Sequence, residues 1–186
     1  MAEAVRPIRG AYIHAFGATW FITEFLKGNG PYGSPRIDPR KGAPQSDIHS
    51  AYKLALHSAL AEDLAARDAE EAIKAGRPLS PEEVELRSSY YLGRIPSRLT
   101  RMRYSSFRVY FGLLKRLGWV EPTGEEEPSL PQDYDPNFSP RVYYRLTPEG
   151  MAAVVPIVFD PILLLYPDYT REKRSGKRRR YFTVRR

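Results

Sequence analysis

Residues 113–121 read LLKRLGWVE and residues 143–150 read YYRLTPEG, and these two stretches decide the fold class of the chain. In the first stretch, Gly118 ends a leucine-rich helix, because glycine readily adopts the left-handed conformation in which many helices stop. In the second, an alternating aromatic strand runs into Thr147 and Pro148, residue types favoured at the N-cap and first position of a helix. The predicted order is therefore helix, strand, loop, strand, helix.

Two more helices are predicted upstream of the leucine-rich helix. The letters SPEE at residues 80–83 combine an N-cap serine, a proline at the first helical position and a glutamate three residues on. They predict a helix that continues to about Leu92. A short helix ending near Met102 follows, and the leucine-rich helix itself is expected from Tyr104 to Leu117.

One side of the leucine-rich helix is predicted to be buried. Phe107, Tyr110, Leu114 and Leu117 are three or four residues apart, so they share one face of a helix. At the end of this helix we expect Trp119 to pair with Tyr143 across the hairpin.

The order of elements over residues 80–155 and the two quoted motifs resemble winged helix-turn-helix regulators of the PadR and MarR type. The resemblance implies a mostly α (α+β) fold with a two-stranded wing, in which the helix at 105–117 reads DNA. The segment 122–140 departs from the family pattern, because it is long and acidic and phosphate would repel it. We expect this wing loop to lack regular structure and to stay out of a minor groove.

The rest of the chain is divided around this domain. Residues 1–79 are predicted to form an N-terminal helical extension, and residues 156–186 a C-terminal extension that ends in a basic tail. Apolar spacing predicts the two N-terminal helices, and glycine and proline residues mark the long loop between them. These elements are expected at 9–27 and 46–75 for the helices and at 28–45 for the loop.

Charge is sorted along the chain, which has a net charge of +7 and a pI of about 9.6. Residues 93–120 contain seven cations and no acid, residues 121–140 contain six acids and no cation, and residues 141–186 contain eleven cations and four acids. A solvated helix usually mixes both signs. The segregation therefore predicts that residues 93–120 contact nucleic acid.

The predicted nucleic-acid-binding residues lie around the helix 105–117, on the second strand and in the tail. Hydroxyls at a helix N-terminus suit phosphate, and arginine can bond bidentately to guanine. The tail would hold phosphates without reading sequence. The complete set is Arg98, Arg101, Arg103, Ser105, Ser106, Arg108, Lys115, Arg116, Arg141, Arg145, Lys177, Arg178, Arg179 and Arg180.

Gly112 lies in the middle of the same helix, where glycine costs about 1 kcal/mol relative to alanine. Two explanations are open. A flat spot would let DNA or another helix approach closely, or the position would be tightly packed within the chain.

Composition excludes several kinds of chemistry. The chain has no cysteine, which rules out disulfides, thiolate zinc sites and cysteine nucleophiles. His49 and His57 are eight residues apart, too far to share a metal at the usual helical spacing. The chain contains no Walker or dinucleotide-binding motif. We therefore predict no enzyme activity, no metal and no cofactor.

The sequence predicts a cytoplasmic protein that does not enter membranes and that would be nucleoid-associated if it binds DNA. The N-terminus lacks the pattern of a signal peptide. The most apolar run, residues 152–166, is too short to span a bilayer and is interrupted by Pro156, Asp160 and Pro161.

Three hypotheses for function follow from these features. The first is a DNA-binding transcriptional regulator that forms a homodimer through its N-terminal helices, with RNA as the alternative nucleic-acid partner. The second is a small structural or assembly subunit of a larger nucleoprotein complex, which docks on RNA or protein. The third is a protein-binding module whose basic face meets an acidic partner, because fold alone does not decide function.

Overall fold

The structure, a computed structural model, describes residues 16–100, 102–129, 139–157, 159 and 161–166. These residues form a mostly helical α+β fold with a small antiparallel sheet. The helices are α1 (Ala18–Leu26), α2 (Gln45–Lys74), α3 (Pro81–Leu92), α4 (Tyr104–Arg116), α5 (Pro148–Ala152) and α6 (Ile162–Leu165). The strands are β1 (Ala43–Pro44), β2 (Val120–Glu127) and β3 (Arg141–Leu146), and single 3₁₀ turns cover Pro31–Gly33 and Ser97–Thr100.

Local sequence signals predicted most of these helices to within a residue or two. The helix predicted at 46–75 is α2, and the helix expected from Tyr104 to Leu117 is α4. The N-terminus of α3 has the predicted capping box, in which the N–H of Glu83 donates to the Ser80 hydroxyl and the Glu83 carboxylate accepts from the Ser80 N–H. The helix predicted at 9–27 is α1, but it begins only at Ala18, because Gly17 is extended and serves as its N-cap. Residues 9–15 lie outside the described residues.

The sheet has three antiparallel strands in the order β1-β3-β2. β1 is only two residues long and lies inside the predicted loop 28–45, where it pairs Ala43 with Tyr144. Such a short strand, which contains Pro44, has no periodicity that a sequence could reveal. β1 forms because its backbone pairs with the free edge of β3. Since this pairing joins distant parts of the chain, the sequence pattern did not predict it.

The predicted pair between Trp119 and Tyr143 is wrong. Val120 pairs with Leu146, which places Trp119 opposite Thr147, and the Thr147 N–H donates to the Trp119 carbonyl oxygen over 3.0 Å. The Trp119 ring instead stacks on Phe159, with centroids 6.2 Å apart. The register follows from where β3 ends at the N-cap of α5, which the strand pattern alone did not fix.

The expectation that residues 122–140 lack regular structure is wrong for their first part, because β2 continues to Glu127. Two acids of β2 face cations of β3, Glu121 opposite Arg145 and Glu127 opposite Arg141, and opposite charges at such positions stabilise a strand pair. The register shifts between Pro122 and Glu126, where the strand bulges. Residues 130–138 of this loop lie outside the described residues.

One hydrophobic core joins the N-terminal part of the chain to the later elements. Seven of the nine residues of α1 are buried, and this helix packs against both α2 and α4. The core therefore continues across residue 80, where the sequence placed a domain boundary. Its largest members are Phe16, Phe21, Ile22, Leu26, Ile48, Tyr52, Phe107, Phe111 and Leu114.

The outer part of α2 leaves this core. Ala65 is its last buried residue, and beyond it α2 packs on α3, which has no buried residue. The Asp68 carboxylate joins the two helices, because it accepts from the Arg87 guanidinium over 2.7 Å and from the Tyr91 hydroxyl over 2.8 Å. We call residues 66–74 and α3 together the helical arm.

Candidate nucleic-acid interface

Helix α4 is fixed to the core by one apolar side. Its buried residues are Phe107, Phe111, Leu113 and Leu114. The predicted buried face is thus confirmed for Phe107 and Leu114, whereas Tyr110 and Leu117 are half-buried at its edge. Since the core lies between α1, α2 and the sheet, the opposite side of α4 is left for solvent.

Two histidines of α2 hold the segment that leads into α4. His49 donates from Nε2 to the carbonyl oxygen of Met102 over 2.9 Å and packs its ring against Tyr104 and Phe107. His57 contacts the Leu92 carbonyl oxygen from Nε2 over 2.9 Å. From the sequence alone, these histidines were interpreted only as possible metal ligands. Their eight-residue spacing, which places both on one side of α2, was the signal for a shared structural role.

We expect the stability of the fold to decrease as the pH falls from 7 to 5, partly because of His49. Burial lowers the pKa of this imidazole below 6.5, and the nearby Lys53 lowers it further, although the bond to Met102 opposes both. His49 of the unfolded chain therefore takes up a proton near pH 6.5, whereas His49 of the folded chain does so only at a lower pH. Its contribution to the free energy of unfolding is present in full above pH 6.5 and is lost as the pH falls below that value.

The measurement is urea unfolding at pH 7 and pH 5 for the parent protein and for His49→Gln, whose amide keeps a donor for Met102 without titrating. The variant should lose less stability between the two pH values. An identical loss in both proteins would mean that His49 contributes nothing to the pH dependence.

The outward side of α4 presents the predicted residue types to solvent. Exposed side chains follow it from its N-cap to its last turn: Arg103, Ser105, Ser106, Arg108, Val109, Lys115 and Arg116. Within the described part of the chain, Arg103, Arg108 and Arg116 have no carboxylate within ion-pair distance. These three charges are therefore available to an external anion.

The N-terminus of α4 also lacks an internal counter-charge. Its N-cap is Arg103, which makes no side-chain cap, and its first turn contains no acid. Helices α3 and α5 are capped by Ser80 and Thr147. A helix N-terminus carries a partial positive charge and free N–H groups. The charge of the neighbouring Arg103 adds to it, so this end of α4 attracts anions.

The predicted site residues on β3 are already paired with acids. Arg141 bonds to Asp47 of α2 and lies 2.6 Å from the Glu127 carboxylate, and Arg145 lies 2.9 Å from the Glu121 carboxylate. Lys115 of α4 lies over the ring of Tyr144, 5.0 Å from its centroid. The arginines of β3 thus join β3 to β2 and to α2, which reduces their availability to phosphate.

Six of the predicted site residues have side chains outside the described part of the structure. They are Arg98, Arg101 and the tail residues Lys177, Arg178, Arg179 and Arg180.

Gly112 has open space around it. A Cβ added at this position would meet no atom within 4 Å, apart from the helix's own neighbouring backbone. Tight packing against described residues therefore does not explain the glycine.

No features of a metal centre or a membrane span occur among the described residues. They contain no group of three or more His, Cys, Asp or Glu residues that could hold a metal ion. Nor does any described helix combine the length and apolar composition needed to cross a bilayer.

Comparison with known proteins returned no match: no protein-family model, no curated protein and no solved structure is similar to this chain.

Proposed function

We propose that this protein binds duplex DNA through the outward face of α4, as a winged helix-turn-helix protein with the β2–β3 hairpin as its wing. The arrangement of the elements supports this proposal. A helix carrying exposed cations is followed directly by an antiparallel hairpin, and β1 lies beside β3 as the third strand. A transcriptional regulator is the function that such a domain would serve.

The observation that carries the proposal is that three arginines on and next to one helix, α4, are exposed together and form no ion pair with described residues. The arginines of the neighbouring strand β3 differ, because Arg141 and Arg145 are paired with acids. Arg103, Arg108 and Arg116 form no such pair with described residues, although the four acids of β2, Glu121, Glu125, Glu126 and Glu127, follow α4 directly in the chain. A surface that keeps its cations apart from the acids of its own chain is suited to a polyanion.

Duplex DNA fits this surface better than duplex RNA. The face is one side of a regular helix, and the major groove of B-form DNA is wide enough to admit a helix. The major groove of A-form RNA is too narrow for side chains to read. Val109, with 59% of its surface exposed among these cations, could contact a thymine methyl group.

The experiment is selection from random duplex DNA, random RNA and single strands at two salt concentrations. We expect one duplex motif to be enriched, and Arg108→Ala to relax the preference at one position by about 1–3 kcal/mol. If RNA or single strands bind as tightly as duplex DNA, without a motif, the DNA proposal is overturned.

That second outcome would favour a structural or assembly subunit of a nucleoprotein complex. The helical arm supports this alternative, because α3 contributes no residue to the core of its own chain and leaves Leu86 72% exposed.

A further inference from the structure

Helix α3 carries an exposed stripe with acidic and basic ends. Glu82, Leu86, Tyr90 and Arg94 are four residues apart, so they follow one another along the helix and its C-terminal end. All four are exposed; Leu86 keeps 72% of its surface and Tyr90 55%. The Arg94 guanidinium lies over the Tyr90 ring, 3.8 Å from its centroid. We call these four residues the α3 stripe.

The stripe is turned away from the rest of the chain. The half-buried residues of α3 are Val84, Ser88 and Tyr91, and the Tyr91 hydroxyl bonds to Asp68 of α2. At 100° per residue, Leu86 lies on the opposite side of the helix from these three. A leucine and a tyrosine are therefore exposed side by side where no described part of the chain covers them.

The two ends of the stripe cannot neutralise each other within one chain. Glu82 and Arg94 are twelve residues apart, which corresponds to about 18 Å along a helix. Neither side chain has an ion-pair partner among the described residues. Glu83 differs from Glu82 in this respect, because its carboxylate caps the helix at Ser80.

We infer that a second copy of this chain docks on the α3 stripe, with the two α3 helices antiparallel about a two-fold axis. An axis at the height of residue 88 places Leu86 opposite Tyr90 of the partner copy and, in the same register, Glu82 opposite Arg94 of the partner copy. Both the apolar and the charged pairings thus need the same axis. A two-fold interface requires this self-complementarity.

This interface replaces the one expected from the sequence, a homodimer through the N-terminal helices. Seven of the nine residues of α1 are buried inside its own chain, and the apolar residues in the first half of α2 are buried as well, except for Leu54. The inference does not depend on the proposed DNA binding, because it concerns self-association without nucleic acid.

The experiment is sedimentation equilibrium of the full chain in the absence of nucleic acid, over a range of protein concentrations. We expect the parent protein to dimerise. Glu82→Arg and Arg94→Glu should each raise the dimer dissociation constant about tenfold or more, since each change creates two like-charge contacts per dimer. The double variant should restore dimerisation, because it rebuilds both pairs with reversed signs.

Glu85→Arg is the matched control, since it is exposed on α3 outside the stripe. It should leave the dissociation constant unchanged, and circular dichroism should show that all variants keep their helical content. A parent protein that stays monomeric, or a double variant that dimerises no better than the single variants, would overturn the inference. Neither result would bear on whether α4 binds DNA.

Discussion

Gly42→Ala is expected to lower the free energy of unfolding by at least about 3 kcal/mol. Gly42 has a φ of 69°, in the left-handed region that L-amino acids occupy at a cost of about 1–2 kcal/mol. In addition, a Cβ at this position would overlap the backbone carbonyl of Tyr144. A backbone atom of the central strand cannot move aside as the end of a flexible side chain can, so β1 would be pushed away from β3.

Gly33→Ala separates the two parts of this effect. Gly33 has a φ of 71°, but a Cβ there would meet nothing within 4 Å. It should therefore cost only the backbone term of about 1–2 kcal/mol. Urea unfolding of both variants is the measurement. Equal losses would contradict the close approach between Gly42 and β3, and with it the position of β1 in the sheet.

The second large effect is expected on nucleic-acid binding. Replacing Arg103, Arg108 and Arg116 together by alanine should weaken binding to the selected duplex at least about 100-fold at moderate salt. Each phosphate contact that is lost also removes about 0.9 from the slope of log affinity against log salt concentration. The slope should therefore become shallower by roughly two to three.

The matched control is the triple variant Arg36→Ala, Lys74→Ala and Arg77→Ala. It removes the same charge from three exposed side chains outside α4, none of which has an ion-pair partner among the described residues. Fluorescence anisotropy at several salt concentrations should show a much smaller loss for this variant. If both triple variants lose affinity equally, net charge alone drives binding and α4 is not the interface.

Sequence reasoning reached the helix α4 and its outward residues because the signals there are local. Ser80 with Glu83 defines a helix start, Gly118 a helix end, and the spacing of Phe107 and Leu114 a buried side. Each depends on residues within about two turns of one another, which is the range over which a helix is encoded.

The same reasoning could not predict which side chains form bonds between distant parts of the chain. Arg141 was expected to contact phosphate, yet it bonds to Asp47, 94 residues earlier. His49 and His57 were considered as metal ligands, yet their partners are backbone groups of Met102 and Leu92 on a segment 35 to 53 residues later. No spacing in the sequence indicates such partners.

The sequence by itself determined the helices with clear caps, the second strand of the hairpin and the sorting of charge that makes the surroundings of α4 basic. The tertiary structure decided the pairing of β1, the register that separates Trp119 from Tyr143, and which arginines are neutralised by acids. The physical reason is the range of the interactions. Helix caps and periodicity act within a few residues, whereas strand register, ion pairs and core contacts exist only after the chain has brought distant segments together.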